Sequence, residues 1–331
     1  MQRLMAATAL AAVLAPMGAF AQESYTFALV PKAMNNPFFD LARDGCMAAA
    51  EELGNVTCQY IGPGEHTEME QVQIVQDLIT QGVDGIAVAP SNAPAMATAL
   101  RAAQEAGIPV MTWDSDLLPE DAALRATYVG TKNYDIGVNL AQLVQARHPD
   151  GGSVCLQTGG AAAANHNERL KGVRDTLAGA DTGTPPGTPL AGEGGWTEIS
   201  GCPLITDDDG AVAVQGMTDI LAANPDLTAF VSTGAFTQWN DNAYRQAIQP
   251  YAEEMAAGDL TVVVADTLPM QMAQLSEGLS NGQVGQRPYE MGYDAMHVLL
   301  DIVGGNTVED PIYTGLDVCD NANAADCLGA D

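Results

Sequence analysis

Positive charge is what this chain has least of. In 331 residues, 12 Lys and Arg stand against 42 Asp and Glu, a formal charge of −30. A field of that sign repels phosphate backbones and anionic lipid, which excludes nucleic-acid binding. Cys-x-x-Cys is absent and no His lies at zinc-finger spacing from a cysteine pair, so no metal site is expected. No Gly-Lys-Ser/Thr or Gly-x-Gly-x-x-Gly string follows an expected strand, so the common phosphate cradles are missing too. Beyond the N-terminal segment, no apolar run is long enough to span a bilayer. A hydrophobic fraction of 47%, with the acids scattered, argues against wholesale disorder and suits one large or two medium domains.

The N-terminal segment follows different rules. Arg3 is the only charge before Glu23, an apolar stretch runs from Leu4 to Leu14, and Ala19-Phe20-Ala21 supplies a small-x-small site. This reads as a secretory signal over residues 1–21, cleaved after Ala21. Its apolar run is too short for a membrane anchor. Export places the six cysteines in an oxidising compartment, where an even count suggests disulfides. Pairing neighbours along the chain favours Cys46–Cys58, Cys155–Cys202 and Cys319–Cys327 as staples between adjacent elements.

From Tyr25 onward, short apolar runs alternate with helical patterns. Strands are expected at Tyr25–Val30, Val56–Ile61, Gly85–Ala89, Ile108–Trp113 and Thr127–Thr131. Helices are expected between them at Pro37–Leu53, Met69–Thr80 and Ala95–Ala106, with Gly54, Gly82 and Gly107 as stops. The beat restarts with helix Tyr134–Arg147, strand Ser153–Thr158 and helix Glu168–Leu177, then a Pro/Gly-rich loop at 181–195. Strand Thr197–Pro203, helix Ala211–Ala222, strand Leu227–Thr233, helix Gln238–Ile248 and strand Leu260–Ala265 follow. A helix at Met270–Leu279, a strand at Gln283–Gln286, a helix at Met291–Val303 and a strand near Ile312–Leu316 close the pattern. Continuous apolar strands alternating with helices predict an α/β protein of two similar halves, each a parallel sheet covered on both faces.

Parallel sheets bind ligands beyond the carboxyl ends of their strands. The segments there carry Asn35-Asn36-Pro37-Phe38-Phe39, Pro90-Ser91-Asn92, Asp114-Ser115-Asp116, Thr131-Lys132-Asn133, Gly159 to Asn167, Gly234-Ala235-Phe236, Asp266 and Gln286-Arg287. Carboxylates accept from hydroxyls, amides both give and accept, and ring faces cover C–H surfaces, so this inventory suits a neutral hydroxylated ligand. No acid–base or nucleophile set emerges, and the expected function is not enzymatic. Gly278-Leu279-Ser280-Asn281-Gly282 matches a nucleophile-elbow string but leads from helix to strand, the wrong order. His66 and His148 fall in loops and His297 in a helix, while His166 sits in a candidate site loop. Asp207-Asp208-Asp209-Gly210 lacks calcium-loop spacing and reads as a cap for the following helix.

Taken in order along the chain, these residues resemble the ribose-type (type I) periplasmic sugar-binding proteins of bacterial ABC importers. The likeness is carried by Asn35 to Phe39, Ala106-Gly107-Ile108-Pro109-Val110 leading to Thr112-Trp113-Asp114, Tyr128-Val129-Gly130-Thr131, Glu168-Arg169…Gly172, Asp266 after Val262-Val263-Val264, and Gln286. The resemblance implies two Rossmann-like lobes joined by three crossings near Thr131–Asn133, Val284–Pro288 and Tyr313–Leu316. The first lobe would comprise 24–131 and 288–314, the second 132–287 and 315–331. It implies ligand contacts from Asn36, Phe38, Phe39 and Asp114 in the first lobe and from Arg169, Asp266 and Gln286 in the second. Trp113 beside Asp114, and Asn167 at a place often held by a second Arg, complete the candidate set, with Phe236 and Trp239 weaker. Ser115 stands where the family commonly has Arg, Gly234-Ala235 where it often has Asn-Asp, and Asp208 where an aromatic is frequent. These departures leave another pentose, a hexose or a polyol as plausible as ribose.

The expected function is therefore periplasmic capture of a monosaccharide or polyol and its delivery to an ABC permease, by a monomer without cofactor, metal or membrane insertion. The alternatives are a sensor presenting the same ligand to a membrane receptor and an exported sugar-acting enzyme.

Overall fold

The computed structural model describes residues 23–329; the expected signal segment lies outside the described residues. The chain begins with β1 (Tyr25–Val30), α1 (Pro37–Leu53), β2 (Val56–Tyr60), α2 (Glu68–Gln81), β3 (Gly85–Val88), α3 (Ala93–Ala106), β4 (Val110–Trp113) and β5 (Tyr128–Gly130). It continues with α4 (Asn133–Gln145), β6 (Gly152–Thr158), α5 (Ala164–Ala178), β7 (Trp196–Glu198), β8 (Leu204–Ile205) and α6 (Gly210–Ala223). Next come β9 (Ala229–Ser232), α7 (Asp241–Ile248), α8 (Ala252–Ala257), β10 (Thr261–Ala265), α9 (Pro269–Ser276) and β11 (Gly282–Gly285). The last elements are α10 (Pro288–Val303), β12 (Ile312–Tyr313) and β13 (Asp317–Asp320).

Local chemistry sets the helix ends. Asn36 accepts from the Phe38 amide at 2.9 Å, Pro37 opens α1, and Gly54 closes it in the left-handed region at φ 71°. Asn92 and Gly107 do the same for α3. The strands β1, β3, β4, β9, β10 and β11 are buried almost throughout, as expected for sheets covered on both faces.

Two sheets result. The first runs β12-β5-β4-β3-β1-β2 and is wholly parallel. The second runs β13-β11-β10-β9-β6-β7, with β8 also on β6, and is parallel except for β13. Without the added edge strands, both follow one order, second-first-third-fourth-fifth, so β1 corresponds to β6, β4 to β10 and β5 to β11. The chain passes between sheets three times: after β5, between β11 and α10, and between β12 and β13. α1 and α10 pack together on the first sheet, α4 and α5 on the second. Apolar side chains fill both faces of each sheet, among them Phe27, Leu29 and Trp113 on one face of the first, and Ile136, Leu156 and Trp196 on one face of the second.

Three expectations need correction. The helix expected at Glu168 begins at Ala164, because Ala163 at its start contributes no side-chain cap and so gives no sequence signal. The strand expected at Thr197–Pro203 is split into β7 and β8 by a turn holding Gly201 at φ 90°. The closing strand Ile312–Leu316 is only β12, and the following Asp317–Asp320 forms antiparallel β13, whose acidic ends hide its pattern. The disulfides are Cys46–Cys58, Cys155–Cys202 and Cys319–Cys327, as neighbour pairing suggests.

Both helix pairs depend on glycine for close approach. A Cβ at Gly137 in α4 would lie 2.0 Å from the Arg169 carbonyl oxygen, and one at Gly292 in α10 would lie 1.8 Å from that of Ala42. Gly137→Ala must therefore push α5 away, and we expect a loss of about 1–3 kcal/mol in urea unfolding; unchanged stability would mean the pair is loose. Among the disulfides, Cys155–Cys202 closes 47 residues against 12 and 8 for the others. Loop entropy then makes its paired Ala replacement the costliest, at about 4 kcal/mol against about 2.5–3 kcal/mol for either of the other two. Melting of the three double variants checks that order.

Candidate functional site

The carboxyl ends of both sheets face one another, and the loops leaving them line one tight cleft with only about 20 Å³ of free space. From the first lobe come Lys32 after β1, Asn36, Phe38 and Phe39 at the start of α1, and Asp114 after β4. From the second come Asn165, His166 and Arg169 on α5, Asp208 before α6, Gly234, Phe236 and Trp239 after β9, Asp266 after β10 and Gln286 after β11.

The two aspartates occupy equivalent places, each directly following the fourth strand of its sheet. Both adopt left-handed backbone, Asp114 at φ 56° and Asp266 at φ 73°. Aspartate tolerates this region better than most side chains, though at some strain. Here the turn ends the strand and faces each carboxylate into the cleft.

Around Asp114 the lobes are bonded to each other. Lys32 Nζ lies 3.3 Å from one carboxylate oxygen, and Arg169 Nη2 lies 3.7 Å from the other. Asn165 accepts from Lys32 at 3.0 Å and donates to Asp114 at 3.4 Å. Arg169 is held from behind: its Nε donates to Asn133 Oδ1 at 2.8 Å and its Nη1 to the Thr233 carbonyl at 2.9 Å. Asp266 accepts from the Ala235 amide at 3.1 Å and from Gln286 Nε2 at 2.7 Å. Burial raises the Asp266 carboxyl above the ordinary carboxylate range, with Arg169 and Gln286 pulling the other way. His166 is held well below the usual imidazole range, by burial first and then by Lys32, Arg169 and His66, so it is neutral at pH 7.

Aromatic rings enter from both sides. Phe38 and Phe39 meet edge to face at 5.3 Å, as do Phe236 and Trp239. Four buried polar atoms of the lining residues have no hydrogen-bond partner: Arg169 Nη2, Trp239 Nε1, Asp208 Oδ1 and Gln286 Oε1. These are two donors and two acceptors, gathered where buried polar groups are ordinarily satisfied.

Of the residues expected from sequence, the structure brings Asn36, Phe38, Phe39, Asp114, Arg169, Asp266 and Gln286 together. It does not bring Trp113 or Asn167. Trp113 is fully buried behind Phe39, with ring centroids 5.5 Å apart, and its Nε1 donates to the Ala87 carbonyl. Asn167 turns away and donates to the Ala161 carbonyl at 3.0 Å. The early start of α5 explains this. Asn165 and Arg169 are four apart and share a helix face, whereas Asn167 lies two positions from each and faces elsewhere.

Lys32 and Asn165 are absent from the expected contacts, and Asp208 is expected there only as a departure from the family's aromatic. Lys32 carried one available signal, a lone cation just past a strand end in a chain poor in cations. Asp208 was read with its neighbours as a helix cap. In the structure Asp209 alone caps α6, accepting from Ala211 and Val212, while a left-handed φ of 58° sends Asp208 to the cavity. Two buried glutamines outside the cavity also fix its loops. Gln71 donates to the Pro31 and Ala89 carbonyls, next to Lys32, and Gln271 bonds the Ala265 carbonyl and the Leu268 amide around Asp266. A wider depression lined by His148, Tyr251, Glu254 and Asp259 lies at the amino ends of β6, β9 and β10, and no unpartnered buried polar atom of the described residues faces it.

Known proteins share this architecture. A family model described as a periplasmic binding protein domain matches residues 27–307. The ribose import binding protein of Salmonella typhimurium is 24% identical over 310 residues, covering 93% of this chain and 95% of that protein. The D-allose-binding periplasmic protein of Escherichia coli is 24% identical, covering 86% and 85%. Among solved structures, an ABC transporter solute binding protein from Burkholderia graminis in complex with D-arabinose superposes with a TM-score of 0.77 at 29% identity, over 92% of this chain and 98% of the other. The family model spans both sheets and the relatives align along nearly their whole length: the chain belongs to the periplasmic binding protein domain family.

Proposed function

We propose that this protein captures a monosaccharide or polyol between its lobes and delivers it to an ABC transporter permease. The observation that carries the reading is the set of two donors and two acceptors, buried without hydrogen bonds, that line one cleft flanked by aromatic rings. A hydroxyl both donates and accepts, so a polyhydroxylated ring answers such a set, and its C–H faces suit Phe38 and Phe236. The relatives point the same way, being named as binding proteins for ribose and allose rather than as enzymes.

In this reading the ligand contacts are Asn36, Phe38, Phe39 and Asp114 from the first lobe, and Arg169, Asp266 and Gln286 from the second, joined by Lys32, Asn165 and Trp239. Asn36 spends its carbonyl on the α1 cap and has its NH2 left for a ligand oxygen. The lobes divide at the three crossings, 24–131 with 288–314 against 132–287 with 315–331. Ligand bonds from both lobes are complete only when these close, so the ligand shifts the population toward the closed form. The protein would act as a monomer in the periplasm after removal of residues 1–21.

A thermal-shift screen of the mature chain against pentoses, hexoses, polyols and amino acids tests this. Ligand at about 100 times its dissociation constant adds about 2.7 kcal/mol of stability. One sugar or polyol should raise the melting temperature by several degrees, and Asp114→Ala should abolish that shift. A response confined to amino acids would remove the sugar reading.

Asp266 gives an opposed pair of outcomes. Its carboxyl is raised above its unfolded value, so the native state binds protons more tightly and the ionised group costs stability as pH rises through its native pKa. Asp266→Asn should therefore raise the ligand-free melting temperature at pH 7, a gain that shrinks as pH falls through that pKa. The same substitution should weaken sugar binding at pH 7, because the charged acceptor is gone. Wild-type affinity should likewise fall as acid protonates Asp266. Calorimetry and melting across pH 4 to 8 check both signs.

A further inference from the structure

We propose that the solute carries an ammonium group as well as hydroxyls, an amino sugar or amino-polyol, with Asp208 as the residue that selects the amine. This rests on the sugar-binding reading above and names its ligand more narrowly.

The argument is one of pairing. Three carboxylates line the cavity with two cations, and both cations face the same one: Lys32 at 3.3 Å and Arg169 at 3.7 Å from Asp114. Asp266 has the Ala235 amide and Gln286. Asp208 has neither. Its side chain is 3% exposed, and its Oδ1 accepts no hydrogen bond. His166 Nε2 lies 3.7 Å away, beyond hydrogen-bond reach, and His166 is neutral at pH 7 because burial, Lys32 and Arg169 disfavour its cation.

A buried carboxylate with no counter-charge is costly, and proteins keep such groups where a ligand supplies the charge. The setting fits an ammonium. A Cβ at Gly159 would lie 2.0 Å from Asp208 Oδ1 and 2.7 Å from His166 Nε2, so glycine there leaves room for both side chains. Phe236 packs 5.3 Å from His166 and 5.3 Å from Trp239, and all three rings line the same cleft as Asp208, where aromatic surface favours a cation. A neutral hydroxyl would satisfy the Oδ1 lone pair but not the charge.

Isothermal titration at pH 7 with matched pairs tests this: D-glucosamine against D-glucose, D-galactosamine against D-galactose, D-mannosamine against D-mannose, each with its N-acetyl form. At least one amine should bind about 10-fold or more tighter than its parent, and N-acetylation should remove the advantage. Asp208→Asn retains the left-handed backbone, which Asn tolerates. It should weaken the amine by about 10- to 100-fold, the worth of a charged hydrogen bond, and the parent by less than about 3-fold. Parents binding as tightly as every amine would overturn the ammonium while leaving the sugar-binding reading intact. Equal losses for amine and parent in Asp208→Asn would overturn the selective role. Silence from every compound, amine or parent, would overturn the amino-hexose form of the ligand, and the pentoses and polyols of the melting screen, each set against its amino counterpart, then decide between the two readings.

Discussion

Everything at the cleft is organised by one buried carboxylate. Asp114 leaves the end of β4 in left-handed backbone and meets Lys32 of its own lobe and Arg169 of the other. An isolated charge this deep would be expensive, and pairing with oriented cations is what makes it tolerable. The orientation has its own cause. Arg169 is fixed by Asn133, which stands just past the first crossing and also donates to the Asp114 backbone carbonyl at 3.3 Å. The crossing, the cation and the carboxylate are thus one bonded unit. A movement of the lobes must work against that unit, and a ligand inserted between Asp114 and Arg169 would reshape it.

The repeated architecture explains how two halves of different sequence make one site. Equivalent strand ends, β4 and β10, each supply an aspartate, and equivalent last strands, β5 and β11, lead directly into crossings. Gln286 follows β11 on such a crossing and bonds Asp266, so the second lobe has its own link between hinge and site. The helix pairs behind each sheet approach closely at Gly137 and Gly292, so each lobe is tightly packed behind its sheet. Two of the crossings are bonded to each other, Thr131 Oγ1 donating to the Gly315 carbonyl at 3.1 Å.

Much of this was legible in the sequence, and the gaps have physical reasons. Strands buried on both faces read as continuous apolar runs, and Asn36-Pro37 with Gly54 announced α1 to the residue. The cysteine pairs followed from adjacency. What failed depended on signals that the chain does not carry locally. α5 starts at Ala164 without a side-chain cap, so its first turn reads as loop; Asn167 enters the expected set through the family resemblance, and the true helix phase turns Asn165 to the site instead. Trp113 sits beside Asp114 in sequence, but alternation along a strand sends neighbours to opposite faces, and its ring went to the core. Asp208 was hidden in a run of three aspartates, where only backbone dihedrals distinguish a cap from a cavity residue.

The central claim is that a hydroxylated ligand closes two rigid lobes about these crossings. Small-angle X-ray scattering of the mature chain with and without the sugar that most stabilises it tests this directly. The account predicts a smaller radius of gyration on ligand addition, with no change when Asp114→Ala protein receives the same sugar. A ligand that binds the wild-type chain tightly yet leaves its scattering unaltered would contradict it.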